Sequence, residues 1–261
     1  VTPTQAPAAP ADAARERNIL LVTAVAHFMA HLYMLVFPSL ALALRDAFAL
    51  PLQEILRISF WMYLLYGLGA LPAGLLTDLS SPRLMLAICL AGMGICAALA
   101  GRADGPAELR LALAGLGLFA SIYHPAGMAM ISQGVRRRGR GLGINGVFGN
   151  LGVVCAPFAT GLLAVTWGWR QAYLVLAVPS LAGAALLLLP TAGRIARASR
   201  GDGAGRGTRV LRFAVLCAAM MLGGIAYRGQ TLVLPAYFEQ RVTLLADLIG
   251  RLSWLPADGS K

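Results

Sequence analysis

Seven stretches of roughly 20 apolar residues, separated by polar turns, decide what this chain of 261 residues can become. They run from Ile19 to Leu44, Ile55 to Thr77, Leu84 to Gly101, Leu109 to Gln133, Leu142 to Trp167, Ala172 to Pro190 and Phe213 to Phe238. A helix of that length crosses the hydrocarbon of a bilayer, and inside lipid it satisfies its own backbone hydrogen bonds. Charged residues make up 13% of the chain and hydrophobic ones 58%, too little polar surface to coat a soluble globule. The expected fold class is an all-α membrane protein.

The formal charge of +11 would suit a nucleic-acid partner if it lay on one soluble face. It lies instead in the loops between apolar stretches, so topology accounts for it and no nucleic acid is expected. With the N-terminus in the cytoplasm, thirteen arginines fall inside and eight basic residues outside, the asymmetry that an inner-membrane protein shows. Residues 1–18 are rich in Ala and Pro and read as a disordered cytosolic lead. Residues 19–190 hold six spans, and the Gly/Arg/Ser-rich segment 191–212 reads as a basic cytosolic linker. Residues 213–261 hold span seven and an amphipathic segment, with Val242, Leu245, Leu248, Leu252 and Leu255 at helical spacing, suited to the outer membrane surface. Cys89, Cys96, Cys155 and Cys217 all fall inside spans and read as packing residues.

Span one contains His31-Leu-Tyr-Met-Leu-Val-Phe-Pro38, and span seven contains Arg228-Gly-Gln230-Thr-Leu-Val-Leu-Pro235. The polar residue stands seven positions before the proline in both, and Leu-Val-x-Pro recurs in register. Span seven then begins a second copy of the first half, and the chain is expected to stop before that copy is complete.

Every histidine lies in a span: His27 and His31 on span one, four apart on one helix face, and His124 beside Tyr123 on span four. Arg228 and Gln230 lie on span seven. Asn145 and Asn150 sit five apart on span five, so one can face a pathway while the other bridges helices. Tyr63 and Tyr66 on span two read as packing or interface aromatics. An ionisable group in mid-membrane is costly, and such groups mark substrate or ion pathways. No Asp or Glu lies deep in any span, so Arg228 and a protonated histidine lack a buried counter-ion, and an anionic or zwitterionic cargo would supply it. Histidine, with a reference pKa of ~6.5, is the natural carrier of a coupling proton. The His27/His31 pair also has metal-ligand spacing, but a site needs a third donor, and no metal is expected. Nor is a cofactor or an enzyme: no Gly-x-Ser-x-Gly, His-Glu-x-x-His or Walker lysine motif is present.

On span five, Gly143, Gly146, Gly149 and Gly152 recur every third residue, with Pro157 and Gly161 behind them, and read as a face for close helix packing. Pro38, Pro125, Pro157 and Pro235 interrupt the backbone ladder within spans and read as static kinks.

These features together resemble the major facilitator superfamily from about Ile19 onwards. The resemblance implies a helical bundle of twelve spans, of which this chain holds the six-span N-terminal half and span seven. The loop signature of that family between spans two and three is matched by Gly74 and Asp78, with Arg83 one position late and Leu79 and Ser81 in the first basic and the glycine places. The exporter-associated pattern of span five resembles Gly143, Gly152, Ala156-Pro157 and Thr160-Gly161, with Ala156 and Thr160 in place of glycines. Leu111 stands where the span-four pattern of proton-coupled drug exporters has its arginine. His27, His124-Pro125 and the glycine-rich span five look like the fosmidomycin-resistance group, although His31 stands where that group tends to have an acid. The family's nested repeats imply that spans one, four and seven line the central cavity, which makes His27, His31, Tyr123, His124, Asn145, Asn150, Arg228 and Gln230 the candidates for substrate and coupling contacts. Gly74, Asp78, Arg83 and the span-five residues are candidates for gating and packing. The function implied is a secondary transporter in a bacterial inner membrane, a proton-coupled exporter of a small anionic or zwitterionic solute. Uptake of an organic anion and a non-transporting sensor or scaffold are the alternatives.

Overall fold

The computed structural model describes residues 10–189 and four helical positions further on, Leu222, Ala226, Gly229 and Val233. The chain divides into two units, Val1–Gly201 and Asp202–Lys261. The expected linker 191–212, most of span seven, Arg228, Gln230, Pro235 and the amphipathic segment lie outside the described residues.

The described part of the first unit contains nine helices: α1 Pro10–Phe48, α2 Leu52–Ile58, α3 Phe60–Leu68, α4 Ala70–Leu79, α5 Pro82–Ala100, α6 Pro106–Ala120, α7 Tyr123–Gly134, α8 Arg138–Trp167 and α9 Trp169–Leu188. Five stretches are long and apolar enough to cross a bilayer, Ala13–Phe48, Pro82–Ala100, Pro106–Gly134, Arg138–Trp167 and Trp169–Leu188. The pair Leu52–Leu68 and Ala70–Leu79, bent by 41°, makes a sixth. The fold is thus an all-helical membrane bundle.

Local chemistry explains where these helices start and break. α1 begins at Pro10, so the second half of the lead expected to be disordered is helical. Pro suits the first helical position because its missing N–H has no intrahelical partner there, and Ala11, Ala13 and Ala14 favour continuation. The chain leaves α1 through Ala49 at φ 51°, and the Leu50 N–H reaches back to the Arg45 carbonyl at 3.3 Å, the closure of a Schellman turn. Span four is interrupted at Ser121 and Ile122, where the Ile122 N–H turns to the Phe119 carbonyl at 3.2 Å. Pro125 follows with no N–H to offer the Ser121 carbonyl, so the break falls beside His124. α8 passes into α9 through Gly168 at φ 89°, a backbone state that a side chain strains.

α1 packs against α7, α8 and α9 and buries Ala26, Ala30, Met34, Phe37, Leu40 and Leu44. The Tyr33 hydroxyl donates to the Leu176 carbonyl of α9 at 2.6 Å, and that of Tyr63 on α3 donates to the Met34 carbonyl at 2.9 Å. α5 packs against both α6 and α9, where Gly101 lets the Arg170 carbonyl come close. Arg83, at the start of α5, donates from Nε to the Leu187 carbonyl at 2.8 Å and from its terminal nitrogen to the Leu189 carbonyl, tying α5 to the end of α9.

On α8 the spacing-three glycines do not form one face. At about 100° per residue, Gly143 and Gly152 point in opposite directions. The buried line is Gly141, Asn145, Gly149, Gly152, Ala156 and Thr160, spaced by three and four. A Cβ on Gly149 or Gly152 would strike the His27 ring or the Phe28 backbone of α1, whereas one on Gly143, Gly146 or Gly161 would meet open space. The opposite side of α8 exposes Val147, Val154, Phe158, Leu162 and Val165, an apolar surface compatible with lipid.

Candidate functional site

His27 and His31 stand one turn apart on α1, and the break at Pro125 brings His124 of α7 against both. Ring centroids are 4.6 Å apart for His27 and His31, 5.4 Å for His27 and His124, and 5.7 Å for His31 and His124. One ring nitrogen from each lies within 4.8 Å of the other two. His27 is buried, and His31 and His124 are half-buried.

A network of neutral polar groups holds the cluster. His27 Nδ1 lies 2.8 Å from the Asn145 carbonyl of α8, and since a carbonyl can only accept, Nδ1 carries a proton. In the helix that carbonyl already accepts from the N–H four residues on, which belongs to Gly149. The bare Cα of Gly149 leaves room for the imidazole to reach the same oxygen, because a Cβ there would sit 2.5 Å from His27 Cε1. Tyr123 stacks on His27 with centroids 4.6 Å apart and an interplanar angle of 19°. The Tyr123 hydroxyl lies 2.8 Å from Asn145 Oδ1 and 3.2 Å from the Thr23 carbonyl. Asn145 is fully buried, and its Nδ2 has no hydrogen-bond partner among the described residues. His124 Nε2 contacts the Tyr66 hydroxyl at 3.1 Å, which joins α3 to the site.

The structure therefore gathers His27, His31, Tyr123, His124, Asn145 and Gly149 in one place. It leaves Asn150 exposed, because five residues along α8 turn a side chain about 140° away from Asn145. Gly74 is half-buried, with Pro125 as the neighbour a Cβ there would meet, and Asp78 is exposed near the end of α4. Arg83 acts at the end of α9, and Pro157 is exposed on α8. Tyr66, read from sequence as packing or interface, instead touches His124; its place on an apolar span gave no sign of that contact. Among the described residues no Asp or Glu is buried. A cleft of about 420 Å³ between the start of α1 and α8, lined by Glu16, Arg17, Leu20, Arg136, Ile144 and Phe148, shares no residue with the cluster. Arg136 and Glu16 pair there at 3.3 Å.

The sequence profile of the Major Facilitator Superfamily matches residues 19–250. A protein of Escherichia coli (strain K12) described as "Probable L-galactonate transporter" is 27% identical over 139 residues, 52% of this chain and 31% of that protein. The puromycin resistance protein pur8 of Streptomyces alboniger is 34% identical over 143 residues, 53% of this chain and 28% of that protein. The matched part is thus about a third of the length of these curated relatives. Among solved structures, the bacterial homolog of the human lysosomal transporter Spinster, in an inward-facing and unoccupied conformation, superposes with a TM-score of 0.63 at 16% identity, covering 78% of this chain and 47% of that one. Its occupied inward-facing form gives 0.62 at 18% identity, covering 69% and 46%. At these identities the structural likeness concerns the fold.

Proposed function

Because the chain belongs to the major facilitator superfamily, we propose that it is part of a secondary transporter that moves a small organic anion or zwitterion across a bilayer by alternating access, coupled to protons and directed outward. The observation that carries the anion-and-proton part of this reading, though not its outward direction, is the interior cluster of all three histidines, with no buried acid among the described residues. Two charged imidazoles about 5 Å apart repel by roughly 3 kcal/mol at an effective dielectric of about 20. An anion among the rings offsets that repulsion, so cargo and proton occupancy are linked at one place. A relative named for a sugar acid supports an anionic cargo.

Export is supported by the α8 line of Gly152, Ala156 and Thr160, which resembles the exporter pattern, and by a relative named for drug resistance. The arginine distribution and the bacterial relatives support a bacterial inner membrane with the N-terminus in the cytoplasm and residues 191–212 as a cytosolic linker. The narrower likeness to the fosmidomycin-resistance group rests on His27, His124-Pro125 and the glycine-rich span five, and neither relative above bears that name. Uptake is the second reading, because proton and anion meeting at one cluster bind together, as symport requires.

Flux in oriented proteoliposomes tests these readings. Counterflow of labelled sugar acids is expected to respond to an imposed proton gradient and to fall about tenfold in His124→Gln, the loss of one hydrogen bond to a charged group. Acceleration by protons on the side opposite the substrate supports export, and acceleration from the same side supports uptake. No substrate-dependent flux, with His124→Gln tolerated in cells, points to a non-transporting role.

A further inference from the structure

We infer that His27, His31 and His124 form a binding site for a divalent transition-metal ion of the Zn²⁺, Co²⁺ or Ni²⁺ class. The His27/His31 pair has the spacing of two ligands on one helix face, and the fold supplies the third donor from α7. Zinc–imidazole bonds of about 2.0–2.1 Å hold tetrahedral ligand nitrogens about 3.4 Å apart. The three nitrogens here lie within 4.8 Å of one another, at most about 1.4 Å beyond that spacing.

The surroundings match those of a ligand set. A metal-bound histidine characteristically gives its other ring N–H to a carbonyl or carboxylate, which fixes the tautomer. His27 does this already: Nδ1–H donates to the Asn145 carbonyl, and in the neutral ring Nε2 carries the lone pair. The Tyr66 hydroxyl at 3.1 Å orients His124, and Tyr123 stacked on His27 limits its swing. Imidazole donors suit Zn, Cu, Fe and Ni, whereas Mg and Ca take oxygen ligands. Three neutral imidazoles leave the charge of a divalent ion uncompensated, so the fourth position favours an anion over water. The site stands whether or not the transported solute is an anion.

Co²⁺ titration of purified, tag-free protein tests the site, since the three rings are the only imidazoles in the chain. The expected result is one equivalent of cobalt with the visible absorption of a tetrahedral ion, displaced by Zn²⁺ and indifferent to Mg²⁺ and Ca²⁺. His31→Gln and His124→Gln each remove a ligand and should weaken binding by more than the roughly tenfold to hundredfold that loss of an outer partner costs, and Asn150→Ala should leave it unchanged. Zn²⁺ should also protect the wild-type histidines from diethyl pyrocarbonate, a readout independent of whether a variant folds. Absence of a saturable cobalt band, a band undiminished in both glutamine variants, or histidines modified equally with and without Zn²⁺ would overturn the site. Metal binding is read without flux, so it can fail while proton-coupled transport stands, and the reverse.

Discussion

At His27 the geometry depends on an atom that Gly149 does not have. A methyl group there meets the imidazole, while the same change one turn of three earlier, at Gly146, meets open space. Gly149→Ala is therefore expected to lower flux several-fold and to destabilise the protein by about 1–3 kcal/mol, whereas Gly146→Ala leaves both unchanged; thermal unfolding in detergent and proteoliposome flux measure the pair. Tyr123→Phe keeps the stack on His27 but strands Asn145 Oδ1, and should cost about 1–2 kcal/mol in the same unfolding assay. The histidines were legible as candidates because an imidazole inside an apolar run is conspicuous by chemistry alone. Tyr66 was not, since a tyrosine on a span packs as readily as it binds, and only the arrangement of α3 against α7 brings its hydroxyl to His124.

Among the helices, α8 shows how a periodic sequence can mislead about a face. Glycines every third residue wind around the axis by about 60° per step. The line that packs runs in steps of four with one step of three, and it includes Asn145, Ala156 and Thr160 among its glycines. Asn145 on that line meets His27 through its backbone carbonyl and Tyr123 through its side chain, so one register serves both packing and the site. The end of α1 offers a cleaner test of local backbone cost. Ala49 occupies the left-handed region at φ 51°, where a Cβ costs about 1–2 kcal/mol. Ala49→Gly should recover part of that, about 0.5–1 kcal/mol, seen as a higher unfolding temperature with flux unchanged.

Over the bundle as a whole, the ends are fastened by groups that the sequence marked for other reasons. Arg83 entered as the misplaced cation of a loop signature, and in the structure it donates to the Leu187 and Leu189 carbonyls at the C-terminal end of α9, where a helix leaves its last carbonyls for other donors. Arg83→Ala is expected to cost about 1–2 kcal/mol, discounted for its partial exposure. Proteolysis near Leu189 should become faster, and limited digestion followed by mass spectrometry reads that directly. Arg83→Lys keeps the charge but not the two-pronged geometry, so it should restore only part of the stability.

The sequence by itself determined that this protein is a bundle of membrane helices, because the cost of placing a polar chain in lipid is paid residue by residue and shows in composition and run length. It also marked His27, His31 and His124 as exceptional, because an ionisable group in such a run is rare on its own account. Which of them meet was decided by tertiary structure. The break at Pro125 is local, but the cleared space at Gly149 and the close approach of α1 to α8 are properties of pairs of helices, and no single stretch of chain contains them. The third imidazole beside the His27/His31 pair comes from a helix about ninety residues away in the chain, joined to it only by packing.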